Sequence, residues 1–344
     1  MSRRKVEPVQ QNMGPVLCDP QTLIKDLNPQ QSEAVKYYGQ ALLIGAGAGS
    51  GKTRVLTRRI AWLLAHGIWA SQILAITFTN KAAAEMRERL AALVGPEAER
   101  MWISTFHSAC VRILRRDGDQ IGLKSGFSIY DTADSERLIK LIGADLNIDL
   151  KRYTPRMILG KISDYKNSLI SWKDQLKTYA ADYRPGQRGY QLGRFDNVEE
   201  LFAVVYSEYQ YRLAQANAVD FDDLIMRTVE LFRTCPQASD YYRHKFRYIF
   251  VDEYQDTNHA QYVLVRELSG MIRASRPIRM PRARAGSDPP GLPSSVTPIS
   301  PYTPSAAPTS ATSRISKRTS RTRRPSCSNR TTVRRRPFWM RRMR

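Results

Sequence analysis

Between Gln21 and about Arg116, short apolar runs alternate with stretches whose apolar residues recur at helical spacing. Residues 41–44 and Ile73–Thr77 read as buried strands, and residues 54–65 and 81–93 as the helices that follow them. Such alternation builds βαβ units, and βαβ units build a parallel sheet. From about Asp117 to Ala218 the pattern turns helical and polar, with Tyr153, Tyr165, Lys166, Trp172, Lys173, Tyr183 and Arg184 interleaved. The β-α pattern then returns: residues 221–232 read as a helix, and Tyr248–Val251 as a short apolar strand ending in acids. The simplest architecture is one α/β domain, a parallel sheet with helices on both faces. It is formed by residues 21–116 and 219–270 and interrupted by a helical insertion at 117–218.

The ends differ from this body. Residues 1–20 are mixed in charge and rich in Gln and Pro, as a mobile tail would be. After Gly270, Glu is absent, Lys317 is the one lysine, and Pro, Ser, Thr and Arg dominate. A segment of that composition cannot bury enough apolar surface to offset its ordering entropy, so 271–344 is expected to be disordered.

Charge follows the same division. The formal net charge is +22, but residues 271–344 hold 18 Lys and Arg against a single acid, Asp288. The remaining 36 bases and 31 acids nearly cancel, so the function of the first 270 residues has to come from motifs. No apolar run approaches the roughly 20 residues of a membrane span, and the N-terminus lacks a signal-peptide core. The four cysteines (Cys18, Cys110, Cys235, Cys327) share neither metal-ligand spacing nor a disulfide rhythm. Scattered thiols of this kind suit a reducing cytoplasm.

The most specific signal is Ala46-Gly47-Ala48-Gly49-Ser50-Gly51-Lys52-Thr53, which follows an apolar strand and opens a helix. That is the context of a P-loop. Glycines let successive backbone N–H groups turn toward a β-phosphate, and the helix N-terminus adds its positive dipole end. Lys52 would reach the β- and γ-phosphates and the Thr53 hydroxyl would ligate Mg²⁺, with Arg54 beside them. Ala46 stands where the consensus has its first glycine. Such a site needs an acid on a second strand, and Tyr248-Ile249-Phe250-Val251-Asp252-Glu253 supplies two. Asp252 would hold the metal, and Glu253 would orient and deprotonate an attacking water.

The run Asp252-Glu253-Tyr254-Gln255-Asp256-Thr257-Asn258 resembles the DExxQD box of superfamily 1 DNA helicases of the UvrD/PcrA/Rep family. Other family elements follow in order. Leu27-Asn28-Pro29-Gln30-Gln31 resembles the Q motif, in which Gln31 would read the adenine edge. Thr77 to Met86 and Ser104-Thr105-Phe106-His107-Ser108 resemble the two single-strand-binding motifs, and Asp220-Phe221-Asp222-Asp223-Leu224 matches a further element. The resemblance covers roughly residues 23–268. It implies ATP and Mg²⁺ as cofactors, 3′-to-5′ unwinding, single-stranded DNA and its junctions with duplex as partners, and a location with the nucleoid. It makes Gln255 the link from γ-phosphate to DNA, and the helical insertion a duplex-contacting subdomain. It assigns DNA contacts to Phe78, Thr79, Asn80, Lys81, Thr105, Phe106 and His107. Aromatic stacking at about 1–3 kcal/mol per base, with hydroxyl, amide and basic contacts to phosphate, is the chemistry that grips a single strand.

The family also needs a second RecA-like domain, beginning with a motif of the form Gly-Asp-x-Asp-Gln-Ser-Ile-Tyr-x-Phe-Arg-Gly. It is missing from the chain as translated. Codons that permit residues 296–308, read one base earlier, also permit Gly-Asp-Ala-Asp-Gln-Ser-Ile-Tyr-Ala-Phe-Arg-Gly-Ala. The same shift at residues 327–344 permits Leu-Leu-Glu-Gln-Asn-Tyr-Arg-Ser-Thr-Gln-Thr-Ile-Leu-Asp-Ala-Ala-Asn-Ala, similar to the family's next motif. Residues after about Gly270 therefore read as an out-of-frame translation, leaving an inactive, truncated motor. Two rival readings are a non-enzymatic basic DNA-binding protein and a motor subunit of another P-loop recombination or repair ATPase. A nuclease would need a metal-binding acid cluster that the sequence does not show.

Overall fold

The computed structural model describes residues 19–38, 41–47, 49–187, 190, 197–270 and, as backbone, 332–334. The mobile tail expected at 1–20 ends sooner, since Asp19 caps a helix that Pro20 opens, while its residues 1–18 and most of 271–344, with Cys18 and Cys327, lie outside the described residues. Along the chain run α1 (Pro20–Ile24), α2 (Pro29–Lys36), β1 (Leu43–Gly45), α3 (Lys52–Ala65), β2 (Ile73–Thr77), α4 (Asn80–Val94), β3 (Trp102–Thr105) and α5 (Phe106–Asp117). Then come β4 (Ser128–Ile129), α6 (Thr132–Asp145), α7 (Pro155–Asn167), α8 (Trp172–Tyr179), α9 (Val198–Gln215) and β5 (Ala218–Val219). The body closes with α10 (Phe221–Thr234), α11 (Pro236–Lys245), β6 (Tyr248–Val251) and α12 (His259–Ser269), and Thr332–Arg334 forms β7.

β2 lies between β3 and β6, parallel to both, with Thr77 opposite Thr105 and Ile76 opposite Val251. All five of its residues are buried. Side chains alternate across a strand, so Leu74 and Ile76 enter one core while Ile73 and Ala75 enter another. The first core is closed by α5, α10, α11 and α12, the second by α1 to α4. A third cluster comes mainly from α6, α7, α8 and α9 and includes the buried Tyr183, Tyr206 and Tyr209. Cys110 sits in the first core, where burial pushes its thiol up to about 12 and leaves it inert.

Helix starts follow from side-chain oxygens that satisfy otherwise orphaned N–H groups. Asn28 and Gln31 form a capping box on α2, Asp220 and Asp223 one on α10, and Asn258 and Gln261 one on α12. Thr79 caps α4 and Thr105 caps α5.

The strand expected at 41–44 forms as Leu43–Gly45, but it is not the buried strand its apolar run predicted. It pairs antiparallel with β7 rather than joining the three-stranded ladder, and Leu43 is 45% exposed. A strand outside the ladder keeps one face toward water, while Leu42 and Ile44 still pack on the second core. The strand at Thr332–Arg334 also corrects the expectation of disorder for those three residues.

Candidate functional site

The loop from Ala46 to Gly51 links β1 to α3. Gly49 (φ 75°) and Gly51 (φ 82°) are left-handed, a region that side chains with a Cβ avoid. A Cβ on Gly51 would also stand 3.3 Å from Gln31 Nε2. Lys52 begins α3, and its Nζ donates to Ala46 O at 3.1 Å. Ser50 Oγ donates to Gly47 O at 2.7 Å, tightening the loop. Thr53 lies in the first turn of α3, while Ala48 is outside the described residues. Gln31 joins the loop: its Nε2 donates to Ser50 O at 3.0 Å and its Oε1 accepts from Asn28 N at 3.1 Å. Arg54 lies 3.7 Å from Asp26, which also holds Arg58 at 3.6 Å.

The acids enter from β6. Asp252 N donates to Ile76 O at 2.9 Å, so the ladder to β2 continues one residue past the strand and fixes the carboxylate at its end. Burial, and then the neighbouring Glu253 charge, raise Asp252 above the usual carboxylate range. Glu253 adopts a left-handed conformation (φ 48°), which a non-glycine residue holds only at a cost of about 1–3 kcal/mol. Its Oε2 lies 4.0 Å from Lys52 Nζ and accepts from Gln255 Nε2. The cation of one motif and the acid and amide of the other thus converge on one point.

A third group of residues lies along the same edge, at the C-terminal ends of β2 and β3. Phe78 is half-buried and meets Phe106 edge-on, with ring centroids 5.7 Å apart. Thr79, Asn80 and Lys81 are exposed, with the Thr79 hydroxyl accepting from Ala82 N at 3.0 Å. Thr105 is buried as a cap, its hydroxyl accepting from Ser108 N at 3.2 Å and donating to Ser108 Oγ at 2.9 Å. Phe106 is only 1% exposed and belongs to the first core, so its ring backs Phe78 and offers no open face for stacking. His107 is half-buried and edge-on to Phe221 at 5.8 Å. Burial lowers its pKa, and Asp222 opposes that shift.

Phe221 was read only as part of a family element and given no contact of its own, yet it is 53% exposed beside His107. The signal was present as an aromatic residue just inside the α10 capping box, a position that a helix seldom buries. Ligands of open α/β sheets bind outside the carboxyl ends of the strands. Here Thr105, Thr77 and Asp252 stand side by side at those ends.

The donor set suits Mg²⁺ in the nucleotide-bound form. That ion takes hard oxygens, keeps several waters, and needs only one carboxylate and one hydroxyl beside phosphate. Asp252, raised by burial, and Thr53 at the head of α3 are such a pair. Among the described residues no group of three or more His, Cys, Asp or Glu is arranged to hold a metal.

Comparison with known proteins agrees with this geometry. ATP-dependent DNA helicase UvrD1 of Mycobacterium tuberculosis (strain ATCC 25618 / H37Rv) is 56% identical over 259 residues, 75% of this chain and 32% of that protein. UvrD1 of Mycobacterium leprae (strain TN) is 53% identical over 262 residues, again 75% of this chain and 32% of the relative. ATP-dependent DNA helicase PcrA of Staphylococcus aureus (strain NCTC 8325 / PS 47) is 50% identical over 252 residues, 73% of this chain and 32% of PcrA. The chain therefore spans about a third of the length of the curated relatives it matches. The profile of the UvrD/REP helicase N-terminal domain matches residues 27–274, and with a P-loop, acid box and strand-end edge in register, the chain belongs to that family.

Proposed function

We propose that the chain is the nucleotide-binding part of an ATP-dependent DNA helicase that moves 3′ to 5′ along single-stranded DNA and acts at junctions with duplex, in the bacterial cytoplasm with the nucleoid. One observation carries this reading: Lys52 Nζ lies 4.0 Å from Glu253 Oε2, with Gln255 on the same carboxylate. The split nucleotide-binding domain of residues 21–116 and 219–270, with a helical subdomain inserted at 117–218, belongs to the same proposal. So do the contacts of the phosphate loop and of the strand-end residues with ATP and DNA.

The roles follow from chemistry. Lys52 would leave Ala46 O and the Glu253 carboxylate for the stronger charge of a phosphate. Backbone N–H groups of the loop and the start of α3 would take the remaining phosphate oxygens. Thr53 and Asp252 would hold Mg²⁺, which supplies charge neutralisation between phosphates. Glu253, released from Lys52, would accept a proton from the attacking water. Gln255, already bonded to Glu253, would sense whether a γ-phosphate is present. Gln31 would turn from Ser50 O to the adenine edge. Arg54 fits less well, because Asp26 already holds it.

We further infer that the 344 residues by themselves bind nucleotide weakly and do not unwind DNA, because they span about a third of the relatives' length and residues after about Gly270 do not carry the family's next motif in this frame. Two features support an out-of-frame origin for those residues. The family match ends at residue 274, where the composition changes, and two missing motifs are permitted by one shared shift. Hydrolysis and unwinding assays on the 344-residue chain test this. Weak Mg²⁺-dependent nucleotide binding without unwinding is expected, and robust DNA-stimulated hydrolysis would overturn it. Resequencing the coding DNA past the Val251 codon tests the frame directly. The charge of residues 271–344 favours one rival, a basic DNA-binding protein. Under that rival, deleting the segment abolishes DNA binding and leaves nucleotide binding unchanged.

A further inference from the structure

Lys166 and Asn167 end α7, and both reach out of the helical cluster. Lys166 is fully buried, with Nζ 2.6 Å from Asp220 Oδ2 and 2.9 Å from Asp223 Oδ1. Those carboxylates are the capping box of α10, and they also accept from Tyr209 Oη at 3.0 Å and Gln210 Nε2 at 3.0 Å. A buried cation so fully compensated leaves the end of α7 little freedom to slide.

Asn167 stands on that fixed point and faces two other elements. Its Oδ1 accepts from Asn258 Nδ2 at 2.7 Å, and its Nδ2 lies 3.4 Å from Asp222 Oδ1 and 3.1 Å from Ser163 Oγ. Asn258 caps α12 directly after the acid box and its turn at Tyr254–Asp256. Asp222 acts on His107, which stands edge-on to Phe221 on the proposed DNA face. Two residues beyond Asn167, Leu169 is held left-handed at φ 57° and packs on the first core with Phe78 and Val251. A branched residue persists in that conformation only where its surroundings over-determine it.

We infer that Asn167 is a positioning residue that couples the acid box to the DNA face, through Asn258 on one side and Asp222 on the other. The inference rests on the proposed function, since it presumes that nucleotide and DNA bind at those two places. An amide suits the position because it accepts and donates at once. Alanine does neither, and aspartate would set a carboxylate against Asp222. Nucleotide that draws Glu253 and Gln255 shifts the turn before Asn258, and the rigid end of α7 passes the shift to α10 instead of absorbing it.

The test uses the full 344-residue chain, so every variant carries the same basic segment. The affinity of a fluorescent non-hydrolysable ATP analogue with Mg²⁺ is measured with and without saturating oligo(dT). The ratio of the two is the coupling, and it is reciprocal between the sites. The expected result is a ratio different from one in the wild type that collapses toward one in Asn167→Ala. Affinity for either ligand alone should change less than about twofold, within the error of additivity for separate sites. Asn258→Ser keeps a capping oxygen for α12 but removes the amide donor, so it should give the same collapse. The double variant should then lose nothing more. An unchanged ratio in Asn167→Ala would overturn the inference. So would a fall in both single-ligand affinities together with the melting temperature, the mark of a merely structural residue. A wild-type chain that binds both ligands with a ratio of one sinks this inference alone. Failure to bind the nucleotide analogue removes the proposed function first, and the inference with it.

Discussion

Two strands bring the candidate nucleotide site together, and they are held very differently. β6 stands in a parallel ladder beside a wholly buried β2, and that ladder runs on through Asp252 N to Ile76 O. β1 lies outside the ladder, paired antiparallel with β7, with Leu43 open to water. The backbone at Asp252, where the acid box begins, is thus set before any ligand arrives, as a support for groups that must meet developing charge should be. The phosphate side is a glycine loop held by Gln31 and by Lys52's bond to Ala46 O, and phosphate would complete its order. Effort is concentrated on the carboxylates because loop N–H groups can rotate toward an anion, whereas a misplaced base cannot correct itself.

Breaking the rigid side should have the largest effect. Ile76→Ala removes a buried side chain from the centre of the ladder and should cost about 2–5 kcal/mol, measured by urea unfolding. Because Ile76 O also anchors Asp252 N, Mg²⁺-dependent nucleotide binding should fall with it. A loss below about 1 kcal/mol would mean that β2 and β6 are not the common core of the site.

Lys52→Ala addresses the loop side and should separate binding from folding. Losing a charge-assisted contact worth about 1.5–3 kcal/mol lowers nucleotide affinity roughly tenfold to a hundredfold. Lys52 is partly exposed and its ion pair to Glu253 is long, so unfolding should shift by no more than about 0.5 kcal/mol. Comparable losses in both measurements would show the loop to be structural.

Asp252→Asn sharpens the contrast by sign. Burial and the Glu253 charge raise Asp252 above its unfolded value, so the folded chain holds that proton more tightly than the unfolded one. The ionised carboxylate therefore opposes folding. Its penalty is absent below the usual carboxylate range and complete once pH exceeds the raised value. Asparagine should raise the melting temperature of the nucleotide-free chain at neutral pH, lose that advantage in acid, and abolish the Mg²⁺-dependent increment in nucleotide affinity. A lowered melting temperature at neutral pH would contradict the assignment of an ionisation penalty to this carboxylate.

These contrasts explain which parts were legible in the sequence. β2 and β6 appeared as continuous apolar runs because a parallel strand lies against neighbours on both faces. The glycines of the loop were readable because only they accept φ near 80°. The buried state of Phe106 was not readable, since α5 and Phe78 decide it together. Leu123 and Phe127 lie within the segment assigned to the insertion yet pack in the sheet's first core, a contact made across the fold. Lys166 looked like one more basic residue in a polar helix. Its partners lie 54 and 57 positions away, and nothing local marks a lysine as buried.

The exposed face of β1 gives the smallest effect and the most discriminating one. Leu43 stands opposite Arg334 in the β1–β7 register, and its side chain belongs to neither core cluster of the sheet. Leu43→Thr keeps a β-favouring residue on a half-open strand, so unfolding should change by no more than about 0.5 kcal/mol. Had β1 been the buried strand its apolar run suggested, the same change would place a hydroxyl in the core and cost several times more. Repeating the measurement with saturating nucleotide carries the comparison further. A cost that appears only with ligand would mean that phosphate draws β1 toward the ladder. An unchanged, near-zero cost would mean that the loop closes around phosphate while the strand beneath it stays where it is.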